Sequence, residues 1–383
     1  MLNQKICLVD YTSETPYQSN SVYTQRLSRS QLNILYLATA LAVRPNQITV
    51  LSERESSSQS QNIIYEPLPL EPERFWLEAD FDTVICVDSL QGSQDIKPYL
   101  PAKTNLVLWT HLPLEHLAMW PLGQPEMHTH WDAIVCASQF LAQSYINHFK
   151  LPVEKMSYFW PATVRTLRKR FTQTAELKQV RNASPTLAFT ADPSHGLHHL
   201  IEMFTALQQG FADLNLHILL PSDFEEELSD EMTQQTLARC RQQPGIVVKE
   251  PVPWPSHVEN LLQCHILCHP LAFMDLAGTH LIDALGAGCE MLAIAHPGLQ
   301  VFNCGEHIIW VEAEPADNYL RRYGQALAER LHQHIQDPEA LLEKSIKQIA
   351  DIQTYFTWDL RVWDWESLCY RLQKSKVLAN NAE

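Results

Sequence analysis

Short apolar runs alternate with longer stretches whose apolar positions recur at helical spacing, and this alternation covers most of the chain. In the first half the apolar runs fall at 5–10, 48–51, 83–87, 105–109 and 133–136, and each predicts a buried strand. Between them, residues 30–42 place Leu32, Leu35, Tyr36 and Leu41 on one helical face, and Ser138 is a natural cap for a helix over 139–149. The polar Ser/Gln run at 56–61 predicts an exposed loop. Residues 161–185 interrupt the rhythm with Pro161, the basic cluster Arg165, Arg168, Lys169 and Arg170, and a polar run to Pro185.

A second alternation follows. Strands are expected at 186–190, 214–220, 246–249, 266–269, 291–295 and 308–311, with helices at 197–208, 231–242 and 256–263. Two long helical stretches, 317–336 and 338–373, close the pattern. Strands alternating with helices predict an α/β fold of two Rossmann-like, doubly wound domains. The expected division is an N-terminal domain at 1–170, a linker at 171–185, a C-terminal domain at 186–350, and a return helix at 351–383 that packs on the N-terminal domain. The aromatic run from Tyr355 to Glu366 is too apolar for a free tail, which is why it is given that packing role.

The 383 residues suffice for two cores, and a chain that is 45% hydrophobic and 19% charged reads as globular. No apolar run reaches the roughly 18 residues of a membrane span, and the chain enters its first strand at once, so a cytoplasmic protein is expected. The formal charge of −16 argues against nucleic acid as a partner. It is uneven: residues 1–170 hold 14 Lys and Arg against 16 Asp and Glu, a balance of −2, leaving −14 for the rest. An anionic ligand in the second half therefore needs local donors. The nine cysteines lie mostly in apolar strands and read as free buried thiols.

The densest candidate chemistry lies between His269 and Ala295. An apolar run ends at Pro270, a loop carries Asp275, and Gly278 and Thr279 lead into a helical stretch holding Asp283, closed by Gly286 and Gly288. Two carboxylates eight residues apart at a loop-to-helix junction make a natural site for a polyol and an anion, since the first amides of the helix point at the loop.

With its order and spacing, this stretch resembles the retaining, nucleotide-sugar-dependent GT-B glycosyltransferases of the "glycosyl transferases group 1" family. Their Glu-x7-Glu signature stands here as Asp275-x7-Asp283, with Gly278 three residues after the first acid, Ala284 after the second and Gly288 before the strand. Thr190-Ala-Asp-Pro-Ser-His-Gly-Leu-His-His-Leu200 is similar to the family's strand–loop–helix around Gly-Leu. Trp109-Thr-His111 with Trp131 to Ser138 is similar to its N-domain strand ends, and the segment from Phe356 to Glu366 to its crossing helix. The likeness spans about residues 105–370. It implies transfer of a sugar, without a metal or other cofactor, from a nucleotide-sugar substrate to an unassigned acceptor: a glycan, lipid, small molecule or protein. It also implies roles. Asp275 would hold hydroxyls of the donor sugar, amides at Ala277, Gly278 and Thr279 the diphosphate, and Asp283 the ribose. His111 would sit beside the transferred sugar, and His195 would stand near the diphosphate.

The chain departs from that pattern in three places. Both acids are Asp, the positions of the family's diphosphate-binding Arg and Lys read Ala191 or Asp192 and His195, and no glycine precedes Gly92. A non-catalytic GT-B relative that binds a nucleotide sugar or a partner protein is the second expectation. Plainer readings stand beside the sharp ones. Asp275 and Asp283 also suit a loop cap and a solvated helix acid, and His111 an ordinary strand-end histidine. His195 with His199, and Cys264 to His269, have zinc-like residue types without a complete ligand set. The 165–170 run suits a solvated linker, with contact to an acidic membrane surface as its alternative.

Overall fold

The computed structural model describes residues 3–168, 170–270, 279–296, 299, 307–313 and 318–380. The first sheet has eight strands: β1 (Lys5–Asp10), β2 (Gln47–Ser52), β3 (Ser58–Ser60), β4 (Ile63–Pro67), β5 (Thr83–Val87), β6 (Asn105–Thr110), β7 (Ala133–Cys136) and β8 (Met156–Tyr158). Their order is β3-β4-β2-β1-β5-β6-β7-β8, parallel throughout except that β3 runs antiparallel to β4. Helices α1 (Ser21–Thr24), α2 (Arg29–Ala42), α3 (Pro72–Glu78), α4 (Leu90–Ile96) and α5 (Gln139–Phe149) connect them. A short helix α6 (Thr174–Val180) then leads to the second sheet.

That sheet comprises β9 (Thr186–Phe189), β10 (Asn215–Leu219), β11 (Ile246–Lys249), β12 (Ile266–His269), β13 (Glu290–Ile294) and β14 (Ile308–Val311), in the order β11-β10-β9-β12-β13-β14, all parallel. Its described helices are α7 (Leu197–Leu207), α8 (Glu231–Gln242), α9 (Trp254–Leu262) and α10 (Thr279–Gly286), followed by α11 (Tyr319–Gln336), α12 (Pro338–Tyr355) and α13 (Trp358–Asn380). Parallel strands are covered on both faces, so they read as unbroken apolar runs, as β1, β5, β6 and β7 do. The architecture is the α/β one expected, two parallel-sheet halves of the GT-B kind.

Several local expectations change. The run at 56–61 contributes the edge strand β3, and β4 and β8 join the sheet although their sequences are short and half polar. The expected single helix at 338–373 is two. The chain breaks at Phe356 and Thr357, where the freed Phe356 carbonyl accepts the Thr163 amide at 2.9 Å, tying the break to the linker. Part of the expected linker, 171–185, is helical, as α6, and a 3₁₀ turn at Arg165–Leu167 precedes it.

Three apolar clusters fill the molecule. One covers the outer face of each sheet, and the third runs between the halves. This last joins Leu35 of α2, Ala162 and Val164 of the linker, Leu285 of α10 and Trp365 of α13. Trp365 meets Trp109 and Phe159 edge-on at 5.0 and 5.1 Å, so α13 packs on the first sheet's layer. Among the described residues no helix is long and apolar enough to cross a membrane.

Candidate functional site

In each sheet the strand order reverses once: between β1 and β5 in the first, and between β9 and β12 in the second. Open parallel sheets bind ligands in the crevice that opens there, beyond the carboxyl ends of the strands. On the N-terminal side that crevice holds Asp10 at the end of β1 and Asp88 just after β5. On the other side, His195 stands in the loop after β9, and the segment carrying Asp275 follows β12.

Asp10 is committed to its own loop. Its Oδ1 accepts from the Thr12 amide and hydroxyl at 2.8 and 2.7 Å, and its Oδ2 from the Tyr17 hydroxyl at 2.8 Å. These bonds shape the glycine-free turn that the sequence shows after the first strand.

His111 follows β6 and is held from two sides. The Asp88 carboxylate accepts from the His111 backbone amide at 2.7 Å and lies 3.0 Å from Nδ1, while Asn33 Nδ2 approaches Nε2 at 3.1 Å. An aspartate on Nδ1 places the ring proton there, leaving Nε2 as the acceptor that the Asn33 amide fills. The Ser30 hydroxyl also donates to Asp88, at 2.5 Å. Burial opposes the Asp88 charge, but the His111 ring and these hydrogen bonds outweigh it and hold the carboxyl below its usual range. Asp88 itself adopts a left-handed backbone, φ 49°, a conformation that Asp tolerates better than most residues. The result is a half-buried, oriented imidazole in a crevice walled by Trp109, Trp160 and Arg361.

Asp283, expected to face a ribose, has both carboxylate oxygens bonded to protein donors. Its side chain is 1% exposed, and both oxygens are taken: Oδ2 by Arg29 Nη2 at 2.6 Å, and Oδ1 by the Val164 amide at 2.9 Å. The reason is α2, whose first residue reaches across the cleft. Arg29 also stacks on Trp254, 4.0 Å from the ring centroid. Two residues before Arg29, the Leu27 carbonyl accepts from Trp254 Nε1 at 3.0 Å and from the Ser222 hydroxyl. Asp283 thus serves as a clamp between the halves.

His195 is exposed, and its amide donates to the Asp192 carbonyl at 2.8 Å. Asp192 accepts from the Ser194 amide and hydroxyl at 2.8 and 2.6 Å, which fixes the turn leading to Gly196 and α7. Asp275, Ala277 and Gly278 fall outside the described residues, as does the side chain of Thr279, the first residue of α10. Among the described residues, no group of three or more His, Cys, Asp or Glu is arranged to hold a metal ion. Cys264 and Cys268 are buried strand-end thiols, pushed up by that burial.

The structure therefore brings His111 and Asp283 to one element. Asn33 meets the first and Arg29 the second, one turn apart on α2, a rise of about 6 Å. Sequence reasoning missed Arg29, Ser30, Asn33 and Asp88. For Asp88 a signal was present: an acid directly after the apolar run 83–87, where a strand's carboxyl end faces the crevice.

These features define a GT-B fold with its cleft between two facing sheets. No family model matches the chain, and no curated protein matches it in sequence. Solved structures do match its fold along nearly the whole length. Sucrose-phosphate synthase from Thermosynechococcus elongatus superposes with a TM-score of 0.70 at 12% identity, covering 97% of this chain and 100% of that one. The catalytic domain of starch synthase IV from Arabidopsis thaliana, bound to ADP and acarbose, gives 0.67 at 10% identity, over 97% and 99%. Anabaena HepE in complex with UDP-glucose gives 0.66 at 15% identity, over 95% and 100%.

Proposed function

We propose that the chain is a glycosyltransferase that moves a sugar from a nucleotide-sugar donor to an acceptor, with retention of anomeric configuration and without a metal ion. The observation that carries this reading is the Asp88-oriented His111 at the switch-point crevice of a GT-B cleft. A donor-sugar hydroxyl would replace the Asn33 amide at Nε2, so that the ring accepts from the sugar with its orientation already fixed. Asp275 would accept from hydroxyls of the same sugar. The amides of Ala277, Gly278 and Thr279, at the start of α10, would stabilise the charge that develops on the departing diphosphate. His195, on the facing loop, would supply a further donor there. Asp283 acts through Arg29, by holding the halves at the spacing the reaction needs. The nucleotide sugars in complex with HepE, and the ADP held by starch synthase IV, support a nucleotide-linked donor.

A second reading, a non-catalytic binder of the same ligand or of a partner protein, is favoured by Asp192. One of the places where the related pattern has a cation falls on Ala191 or Asp192, and an aspartate there would bring negative charge toward the diphosphate. The test is to incubate the chain with UDP-, ADP- and GDP-sugars and follow nucleotide release by chromatography. Release from one donor that disappears in Asp275→Ala supports the transferase. Binding without release, equal in wild type and Asp275→Ala, overturns it in favour of the binder.

A further inference from the structure

The second sheet has a cavity at its other end. It opens at the amino ends of β9 and β12, whereas the cleft lies at their carboxyl ends, so the length of a four-residue strand, about 13 Å, separates them. Its volume is about 460 Å³, within the range of small-molecule sites.

Arg181 sets its chemistry. The guanidinium is anchored by one bond, Nη2 to the Ala287 carbonyl at 3.2 Å, while the buried Nε has no hydrogen-bond partner. Among the described residues no carboxylate pairs with Arg181, and its charged-state neighbours are only the thiols of Cys289 and Cys264. Burial pulls its pKa down, yet a guanidinium stays charged in proteins, so this is a half-buried cation, its Nε fully buried, that no described carboxylate neutralises. Such an arrangement is costly unless an anion completes it.

The surroundings extend the same sign. Lys178 stands at the rim, paired with the exposed Glu339. His265 accepts the Thr186 amide on Nδ1 at 3.2 Å, which leaves its ring proton on Nε2, while His334, also in the lining, turns its Nε2 toward Glu290 Oε2 at 3.7 Å. The nearby acid Glu290 is already saturated by Arg330 and Lys344. Opposite these donors, Leu341 and Leu342 form an apolar wall. In a half that carries −14 overall, a recess that gathers Arg181, Lys178 and His265 beside apolar surface is a specific device.

We infer that this cavity is a binding site, separate from the cleft, for a soluble organic anion with a phosphate or carboxylate head on Arg181 and a short apolar body against Leu341 and Leu342.

The test uses calorimetric titration of the full chain with three probes: octyl phosphate below its micelle concentration, inorganic phosphate, and octanol. The expected result is one equivalent of octyl phosphate bound, with inorganic phosphate at least about tenfold weaker and octanol silent. Arg181→Gln should weaken octyl phosphate at least about tenfold. Ser345→Trp, at a half-buried lining position, should do the same by filling the recess without altering a charge, and it carries the test alone if Arg181→Gln fails to fold. The inference is overturned if wild type binds no octyl phosphate at about 1 mM. It is equally overturned if octanol binds as well as octyl phosphate, or if folded variants bind like wild type. None of these outcomes depends on sugar transfer in the cleft.

Discussion

Replacing Asp283 by Asn separates a clamp from a ligand contact. The substitution keeps the side chain's size and leaves Oδ1 to accept from the Val164 amide, 2.9 Å away in the native chain. It removes the charge opposite Arg29 and can turn an amide N–H toward the guanidinium that now sits at 2.6 Å. Breaking a buried pair from one side costs about 3–5 kcal/mol because the surviving charge is stranded. Arg29 is 18% exposed and keeps its stacking on Trp254, so water recovers part of its solvation, and about 2–4 kcal/mol is expected. Arg29→Met retains apolar contact with Trp254 and strands Asp283 instead. The double variant strands neither, so a double-mutant cycle should return a coupling of about 2 kcal/mol. Urea unfolding followed by tryptophan fluorescence measures each corner. The reasoning fails if Asp283→Asn lies within about 0.5 kcal/mol of wild type while nucleotide affinity drops tenfold. That result would return Asp283 to the ribose.

Three further outcomes are expected. Asp88→Asn keeps a residue type that accepts the left-handed backbone but weakens the hold on the His111 tautomer. Turnover should fall by about 10²-fold or more while nucleotide Kd stays within about twofold, read by steady-state kinetics beside calorimetry. His217 and His265 are both lowered from 6.5, chiefly by burial, to about 4 and about 2. Below pH 6.5 the unfolded chain therefore takes up protons that the folded chain refuses. Stability should fall on acidification, by about 2.5 kcal/mol between pH 5.5 and 4.5 for the two together, and His265→Asn should halve that slope in urea titrations. Gly288 has φ +78°, and an added Cβ would stand 3.0 Å from Ile349 Cδ1 and 3.1 Å from Arg181 Nη2. Gly288→Ala should cost about 1.5–3 kcal/mol, visible as a lowered Tm.

The sequence by itself determined the alternation of strands and helices, the two halves, and the helix cap at Ser138, whose hydroxyl accepts the Leu141 amide at 3.1 Å. These are short-range consequences of apolar spacing and capping chemistry, so they are legible along the chain. The same reading located Asp283 from its spacing to Asp275 and His111 from the family resemblance of Trp109-Thr-His111. What each of them touches was decided only by the fold. Arg29 meets Asp283 across 254 positions and Asn33 meets His111 across 78, separations over which no periodicity carries information. The strands β3, β4 and β8 were equally hidden; β3 and β8 lie at the two edges, where a strand can remain polar and short while its pairing comes from a neighbour. Arg181 shows the point most plainly: in the sequence it is one more linker arginine, and in the structure it is a half-buried cation with no carboxylate partner among the described residues. Composition fixes how many charges the chain carries. Tertiary packing decides which are paired.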